Sequence, residues 1–196
     1  KIHYLCGMRQ EKPIMHGLKV IHEDNHLIAI NKPVGALVHG DETGDETLAD
    51  AVKQYIKLRY NKPGDVFLGV IHRLDRPVSG VVIFARTSKA LVRMNKMLQE
   101  KTISKKYLAI VSIRPEELEG TLTHHLTKDE SKNIVKAYAS KKPGSKEATL
   151  KYKQMGELDG KVLLEVEPLT GRPHQIRVQL SKINCPIVGD LKYGAE

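Results

Sequence analysis

Residues 67 to 85 read Phe67-Leu68-Gly69-Val70-Ile71-His72-Arg73-Leu74-Asp75-Arg76-Pro77-Val78-Ser79-Gly80-Val81-Val82-Ile83-Phe84-Ala85. The two ends, 67–71 and 81–85, are rich in β-branched residues, the composition of buried strands. The centre, 72–80, is polar, carries a proline and closes on a glycine, so it continues neither run as a regular strand. A polar loop held between two buried strands is therefore expected, and rigid loops of this kind are where functional side chains are displayed.

Toward the N-terminus, Val20-Ile21 and Leu27-Ile28-Ala29-Ile30 flank Glu23-Asp24-Asn25 and read as a hairpin, which Lys32-Pro33-Val34-Gly35 ends. After an acidic loop at 39–46, Thr47 is placed to cap a helix whose apolar stripe is Leu48, Ala51, Val52, Tyr55 and Ile56, and Asn61-Lys62-Pro63-Gly64-Asp65 breaks it. On the C-terminal side, Thr87 or Ser88 caps a second helix with Ala90, Leu91, Met94, Met97 and Leu98 on its apolar face. Five strands are expected at 107–113, 121–126, 134–139, 148–152 and 162–166, joined by polar turns such as Lys142-Pro143-Gly144-Ser145. Pro173 then suits the first turn of a last helix with Ile176, Leu180 and Ile183 on its buried stripe. The class is α+β, a mixed, mainly antiparallel central sheet with flanking helices. No linker of useful length divides the chain, so one domain over 15–196 is expected, preceded by an arm or an expression-derived segment at 1–14.

With 196 residues, 40% of them hydrophobic, the chain is long enough to build an ordinary core. Its longest apolar run falls far short of the roughly 20 residues of a bilayer-spanning helix, and its start has no secretory pattern, so no membrane association and a cytoplasmic location are expected. Cys6 and Cys185 stand apart, without metal-site spacing, and read as buried or incidental thiols.

The net charge of +9 points to a polyanionic partner, and it is unevenly spread: residues 1–50 sum to −3 and residues 51–196 to +12. The densest segment holds Arg86, Lys89, Arg93, Lys96, Lys101, Lys105 and Lys106 against one acid, Glu100, a stripe that suits either a nucleic-acid face or a solvated helix. With no Trp and only two Phe, the sequence argues against a sheet paved with stacking aromatics. Binding is expected to rest on charge and shape.

Two segments carry candidate chemistry. In the 72–80 loop, Arg73 and Arg76 flank Asp75 and favour its ionised form, which suits a nucleophile or base and equally a salt bridge that steadies a turn. In Thr170-Gly171-Arg172-Pro173-His174-Gln175-Ile176-Arg177, cationic and donor groups surround a helix start, which suits an anion or an ordinary cap. His124-His125 have no metal spacing, and neighbours on a strand point to opposite faces.

Taken together, the segments H-R-L-D-R-P-V-S-G-V-V-I-F-A-R at 72–86, K-K-Y-L-A-I-V at 105–111 and T-G-R-P-H-Q-I-R-V-Q-L at 170–180 resemble the RluA-type RNA pseudouridine synthases. The entry hairpin E-D-N-H-L-I-A-I-N-K-P-V-G at 23–35 extends the resemblance, which runs from near Val20 to Gly194. It implies a pseudouridine synthase-like core and a cofactor-free isomerase acting on ribosomal or transfer RNA, with no metal and no obligatory protein partner. By position it implies Asp75 as the catalytic aspartate, Tyr107 as the tyrosine against the target base, and Arg177 as the arginine that ion-pairs with the aspartate. Arg73 matches an arginine that in some relatives enters the space left by the extruded nucleotide. Arg76, Arg86, Lys89, Arg93, Lys96, Lys105, Lys106, Arg172 and His174 are then the expected RNA contacts.

The sequence departs from the family pattern in having Val78-Ser79 for Thr-Ser, in lacking the small basic N-terminal module of many relatives, and in stopping at Gly194-Ala195-Glu196 where relatives continue into another strand and helix. A C-terminal piece is expected to be absent or disordered. Two other classes fit part of the pattern: a catalytically idle RNA-binding protein of the same fold, and a phosphate-binding hydrolase using Asp75 with His72. The second has no glycine-rich phosphate loop to support it.

Overall fold

The computed structural model describes residues 17–40 and 44–196. The 1–14 segment, Cys6 and part of the acidic loop lie outside the described residues. The chain divides into two compact units, the first ending at Thr102 and the second spanning Ile103–Glu196. Among the described residues no helix is long and apolar enough to cross a membrane.

The first unit contains β1 (Lys19–Glu23), β2 (Leu27–Lys32), α1 (Leu48–Arg59), β3 (Gly69–Val70), β4 (Gly80–Ala85) and α2 (Ser88–Gln99). Its sheet has the order β1-β2-β4-β3, and every strand pair is antiparallel. The first hairpin closes because the Asp24 carboxylate accepts from the backbone N–H groups of His26 and Leu27, both at 2.7 Å. Those two bonds, with His22 beside them, hold Asp24 down to about 2. The register of β2 on β4 sets Ile28 beside Phe84 and Ile30 beside Val82 on one face, where Leu48, Val52 and Ile56 of α1 complete a core. The other face, with Ala85, is covered by Ala90, Leu91, Met94 and Leu98 of α2. Met97, expected on that stripe, is 40% exposed. Thr47 caps α1 through a reciprocal box with Asp50, and Thr87 caps α2 by accepting from Ala90 N–H at 3.2 Å.

The second unit contains β5 (Tyr107–Val111), β6 (Glu119–Asp129), β7 (Ile134–Tyr138), β8 (Lys146–Leu158), β9 (Lys161–Pro168) and α3 (Gln175–Lys182), followed by a short 3-10 turn at Leu191–Tyr193. Its sheet runs β5-β9-β8-β6-β7, again antiparallel throughout. The parallel element expected of a mixed sheet is found only as an isolated bridge, Leu37 to Thr47, among the described residues. One sheet face, built from Ala109, Val111, Leu150, Tyr152, Val162, Leu164 and Val166, packs against Leu180 of α3 and the buried Cys185. Burial pushes the Cys185 thiol above its ordinary range, which keeps it protonated and inert.

β6 and β8 are about twice as long as their sequence patterns indicate, and β8 carries a bulge between Gln154 and Gly156. The last helix also starts later than expected. Pro173 lies in a turn ahead of it, because His174 takes a left-handed conformation at φ 49° and the first helical residue is Gln175. Ile176 and Ile183 are only half-buried, while Val178 and Leu180 are buried together with two polar residues, Gln175 and Gln179.

Candidate active site

In the first unit, the loop between β3 and β4 is clamped from below by Lys32, the last residue of β2. This side chain is fully buried, and its ammonium donates to the carbonyls of Pro33 at 3.1 Å, Arg76 at 3.2 Å and Val78 at 2.6 Å. Burial lowers the proton affinity of Lys32, while the negative charge of Asp75 raises it. The carboxylate thus feels a cation that sequence alone does not assign to it.

Further bonds fix the same backbone. Gly35 N–H donates to Arg76 O at 2.8 Å, and Arg76 Nε donates back to Gly35 O at 3.1 Å. Val78 N–H closes a turn on Asp75 O at 3.0 Å, and the chain enters β4 through Gly80 at φ +138°, a region that side chains rarely adopt. Leu74 turns inward onto the α1 core. His72 Nε2 accepts from Ile83 N–H at 3.1 Å, so the ring ties the loop to β4 instead of offering that nitrogen as a base. Asp75 sits half-buried at the turn, with Arg73 exposed beside it and its guanidinium 3.3 Å from His39 Nε2. Arg76 is engaged as well, reaching Asp45 at 3.0 Å.

In the second unit, Tyr107 opens β5 opposite Val166 and packs on the sheet core. Arg177, on α3, meets Asp190 side-on, with Nε to Oδ2 and Nη2 to Oδ1 both at 2.7 Å. Its guanidinium carbon lies 4.8 Å from the centre of the Tyr193 ring. The Tyr193 hydroxyl accepts from Val135 N–H at 3.0 Å and shares a hydrogen bond with His174 Nδ1 at 2.6 Å. The preceding loop hangs on Gln175, whose Oε1 accepts from the Thr170 hydroxyl and the Arg172 N–H while its Nε2 donates to Thr149 O. Arg172 is exposed and donates to Glu147 O.

The basic stripe divides. On α2, Lys89, Arg93 and Lys96 are exposed at four- and three-residue spacing, one face of the helix. Lys105 is half-buried, and Lys106 pairs with Glu165 at 2.8 Å. Arg86 departs from its assignment as an RNA contact. Its side chain is 12% exposed and its guanidinium binds Glu23 at 3.0 Å and Asp24 O at 2.6 Å over the Tyr60 ring, so its charge is neutralised inside the unit.

The sequence model of the family described as RNA pseudouridylate synthase matches residues 26–182. The chain belongs to that family. Ribosomal large subunit pseudouridine synthase C of Buchnera aphidicola subsp. Baizongia pistaciae is 36% identical over 179 residues, covering 89% of this chain and 53% of that protein. The mitochondrial pseudouridylate synthase RPUSD4 of Xenopus tropicalis is 32% identical, covering 89% of this chain and 60% of its own. The chain therefore spans little more than half the length of these pseudouridylate synthases. Among solved structures, human RNA pseudouridylate synthase domain containing 4 superposes with a TM-score of 0.76 at 26% identity, over 90% of this chain and 69% of that one. The human domain containing 1 shares the fold, with a TM-score of 0.72 at 24% identity over 94% of this chain and 73% of that one. These pseudouridylate synthase neighbours bear out the α+β class.

Four polar residues that shape these segments of the synthase, Lys32 under the 72–80 loop in the first unit and Gln175, Asp190 and Tyr193 about α3 in the second, are absent from the sequence assignment. For Asp190 and Tyr193 a signal was present: Gly189 and Gly194 bracket them at φ +79° and +91°, the mark of a compact turn.

Proposed function

We propose that this chain isomerises uridine to pseudouridine in RNA, with ribosomal RNA as the substrate class. The observation that carries the reading is the family match, which takes in both the clamped Asp75 loop and the start of α3. The ribosomal class is supported by relatives named for the large ribosomal subunit.

In this reaction the bond from C1′ to N1 of the uridine breaks, the uracil turns, and C5 bonds to C1′. N1 gains a proton and C5 gives one up, so the product is an isomer of the substrate. A stacked base has no room to turn, so the nucleotide is extruded at a cost of a few kcal/mol, roughly what a few phosphate contacts offset. Asp75 serves either as the nucleophile on the sugar or as the base that forms a glycal. Tyr107 lies against the uracil, and Arg177 is the cation that orients the reacting carboxylate. Arg73 fills the space the nucleotide leaves. Lys89, Arg93 and Lys96 of α2, with Arg76, Lys105, Lys106, Arg172 and His174, contact the RNA backbone.

The test uses a large-subunit ribosomal RNA transcript tritiated at uracil C5. Wild type releases label to water, and Asp75→Asn does not while still binding the transcript. A wild-type protein that binds this RNA without releasing tritium is an idle binder, and release by the Asn variant at the wild-type rate removes Asp75 from the chemistry.

A further inference from the structure

We propose that Asp190 is a positioning residue for the isomerisation, acting through Arg177, an inference that rests on the role given to Arg177 above. The side-on pair takes Arg177 Nε and one proton of Nη2. Nη1 and the other proton of Nη2 are the donors that the Asp190 pair does not take. Because the fork is planar and its donors are fixed relative to one another, holding one edge sets the direction of the rest.

Three features make Asp190 suited to this. Both side chains are largely shielded, 16% exposed for Arg177 and 10% for Asp190, so water competes less for either charge than at the surface. The carboxylate is delivered by a stiff turn: Asp190 N–H donates to Ile187 O at 2.9 Å, and Asp190 O accepts from Tyr193 N–H at 2.9 Å and Ala195 N–H at 3.2 Å. The same turn slides the Tyr193 ring under the guanidinium, and its hydroxyl is pinned by Val135 and His174. One edge and one face of the guanidinium are thus determined by residues outside the sequence motif that carries Arg177. A buried ion pair of this kind adds little stability beyond what an apolar pair provides, and what it adds is a single orientation. Misplacing a reacting group by about 1 Å costs about a hundredfold in rate.

The experiment compares Asp190→Asn, Asp190→Glu and Arg177→Ala with wild type by single-turnover tritium release from the same ribosomal transcript, by filter-binding Kd, and by thermal melting to fix the folded fraction. The Asn amide keeps one acceptor but turns N–H against N–H, so its rate per folded enzyme is expected to fall about a hundredfold with the Kd held within about twofold. The Glu variant restores the carboxylate and is expected to recover at least tenfold of that loss. An Asn variant at the wild-type rate, or a loss that appears in Kd instead of rate, overturns the proposal. If Arg177→Ala is inactive and Asp190→Asn is normal, only the Asp190 inference fails. If Arg177→Ala turns over at the wild-type rate, the role of Arg177 fails and the inference with it.

Discussion

Replacing Lys32 by methionine isolates the clamp beneath the Asp75 loop, because the two side chains have similar length and no cavity is opened. Arg76 O keeps its bond from Gly35 N–H, whereas the carbonyls of Pro33 and Val78 lose the ammonium. Two part-buried acceptors that lose a charged donor cost at most about 1–3 kcal/mol each, roughly 2–6 kcal/mol together. Against this stands relief from burying a charge, which already lowers the proton affinity of Lys32. The net expectation at pH 7 is a loss of about 2–4 kcal/mol, or about 1–2 M in urea midpoint for an m-value near 2 kcal/mol/M. The sign of the pH dependence follows from the same lowering. Between the folded value and 10.5 the unfolded chain holds the Lys32 proton and the folded one does not, so wild-type stability rises with pH there, and the methionine variant lacks that rise. Urea unfolding followed by circular dichroism at pH 7 and pH 9.5 reads both quantities. A midpoint within about 0.3 M of wild type, at a typical m-value, refutes the claim that Lys32 holds the loop.

His124 is buried and accepts from Gln179 at 3.0 Å, and burial, then the charges of Lys182 and His125, lower its proton affinity below the ordinary 6.5. As pH falls below 6.5 the unfolded chain takes up the proton first, so wild-type stability declines toward pH 5; urea titrations should show a shallower decline for His124→Asn, and equal slopes discard the reasoning. Glu23 accepts from the hydroxyls of Tyr55 at 3.0 Å and Tyr60 at 2.8 Å and pairs with Arg86. Glu23→Gln should lower unfolding free energy by about 2–3 kcal/mol, and an unchanged melting temperature contradicts a structural role for the cluster. Reversing Lys89, Arg93 and Lys96 to Glu should weaken RNA binding and reduce the log-log salt slope by about 2–3. A retained slope in a salt titration places the RNA elsewhere.

What the sequence made legible was local. The first hairpin, α1 and α2 were readable because cap, periodicity and breaker lie within a few residues of one another, as with Thr47 and Asp50. The ends of β6 and β8 were not, since Gly120 near the start of β6 and Gln154, Gly156 and Glu157 toward the end of β8 add no apolar residue to the alternation while their backbones still pair. Arg86 was misread because a charge within a basic run looks solvated, and its partner Glu23 lies far back in the chain. Lys32 was missed for the same reason: its acceptors on Arg76 and Val78 stand 44 and 46 residues away. Pro173 was misplaced because its suitability for a first helical turn does not reveal that the next residue is left-handed.

These misreadings share a cause that bears on the candidate site. Apolar patterns report which face of an element is buried, but they are silent on a polar side chain that is buried to shape a loop. Lys32 lies under the Asp75 loop, Gln175 under the turn that leads into Arg177, and Asp190 with Tyr193 along one edge and one face of Arg177 itself. Apolar residues at these places would leave backbone carbonyls and N–H groups unmatched and the loop backbones free to choose among several shapes. A polar group with several partners allows one shape only. The stability cost of burying such groups is thus concentrated in the segments proposed to carry Asp75 and Arg177, each of which is held to one direction.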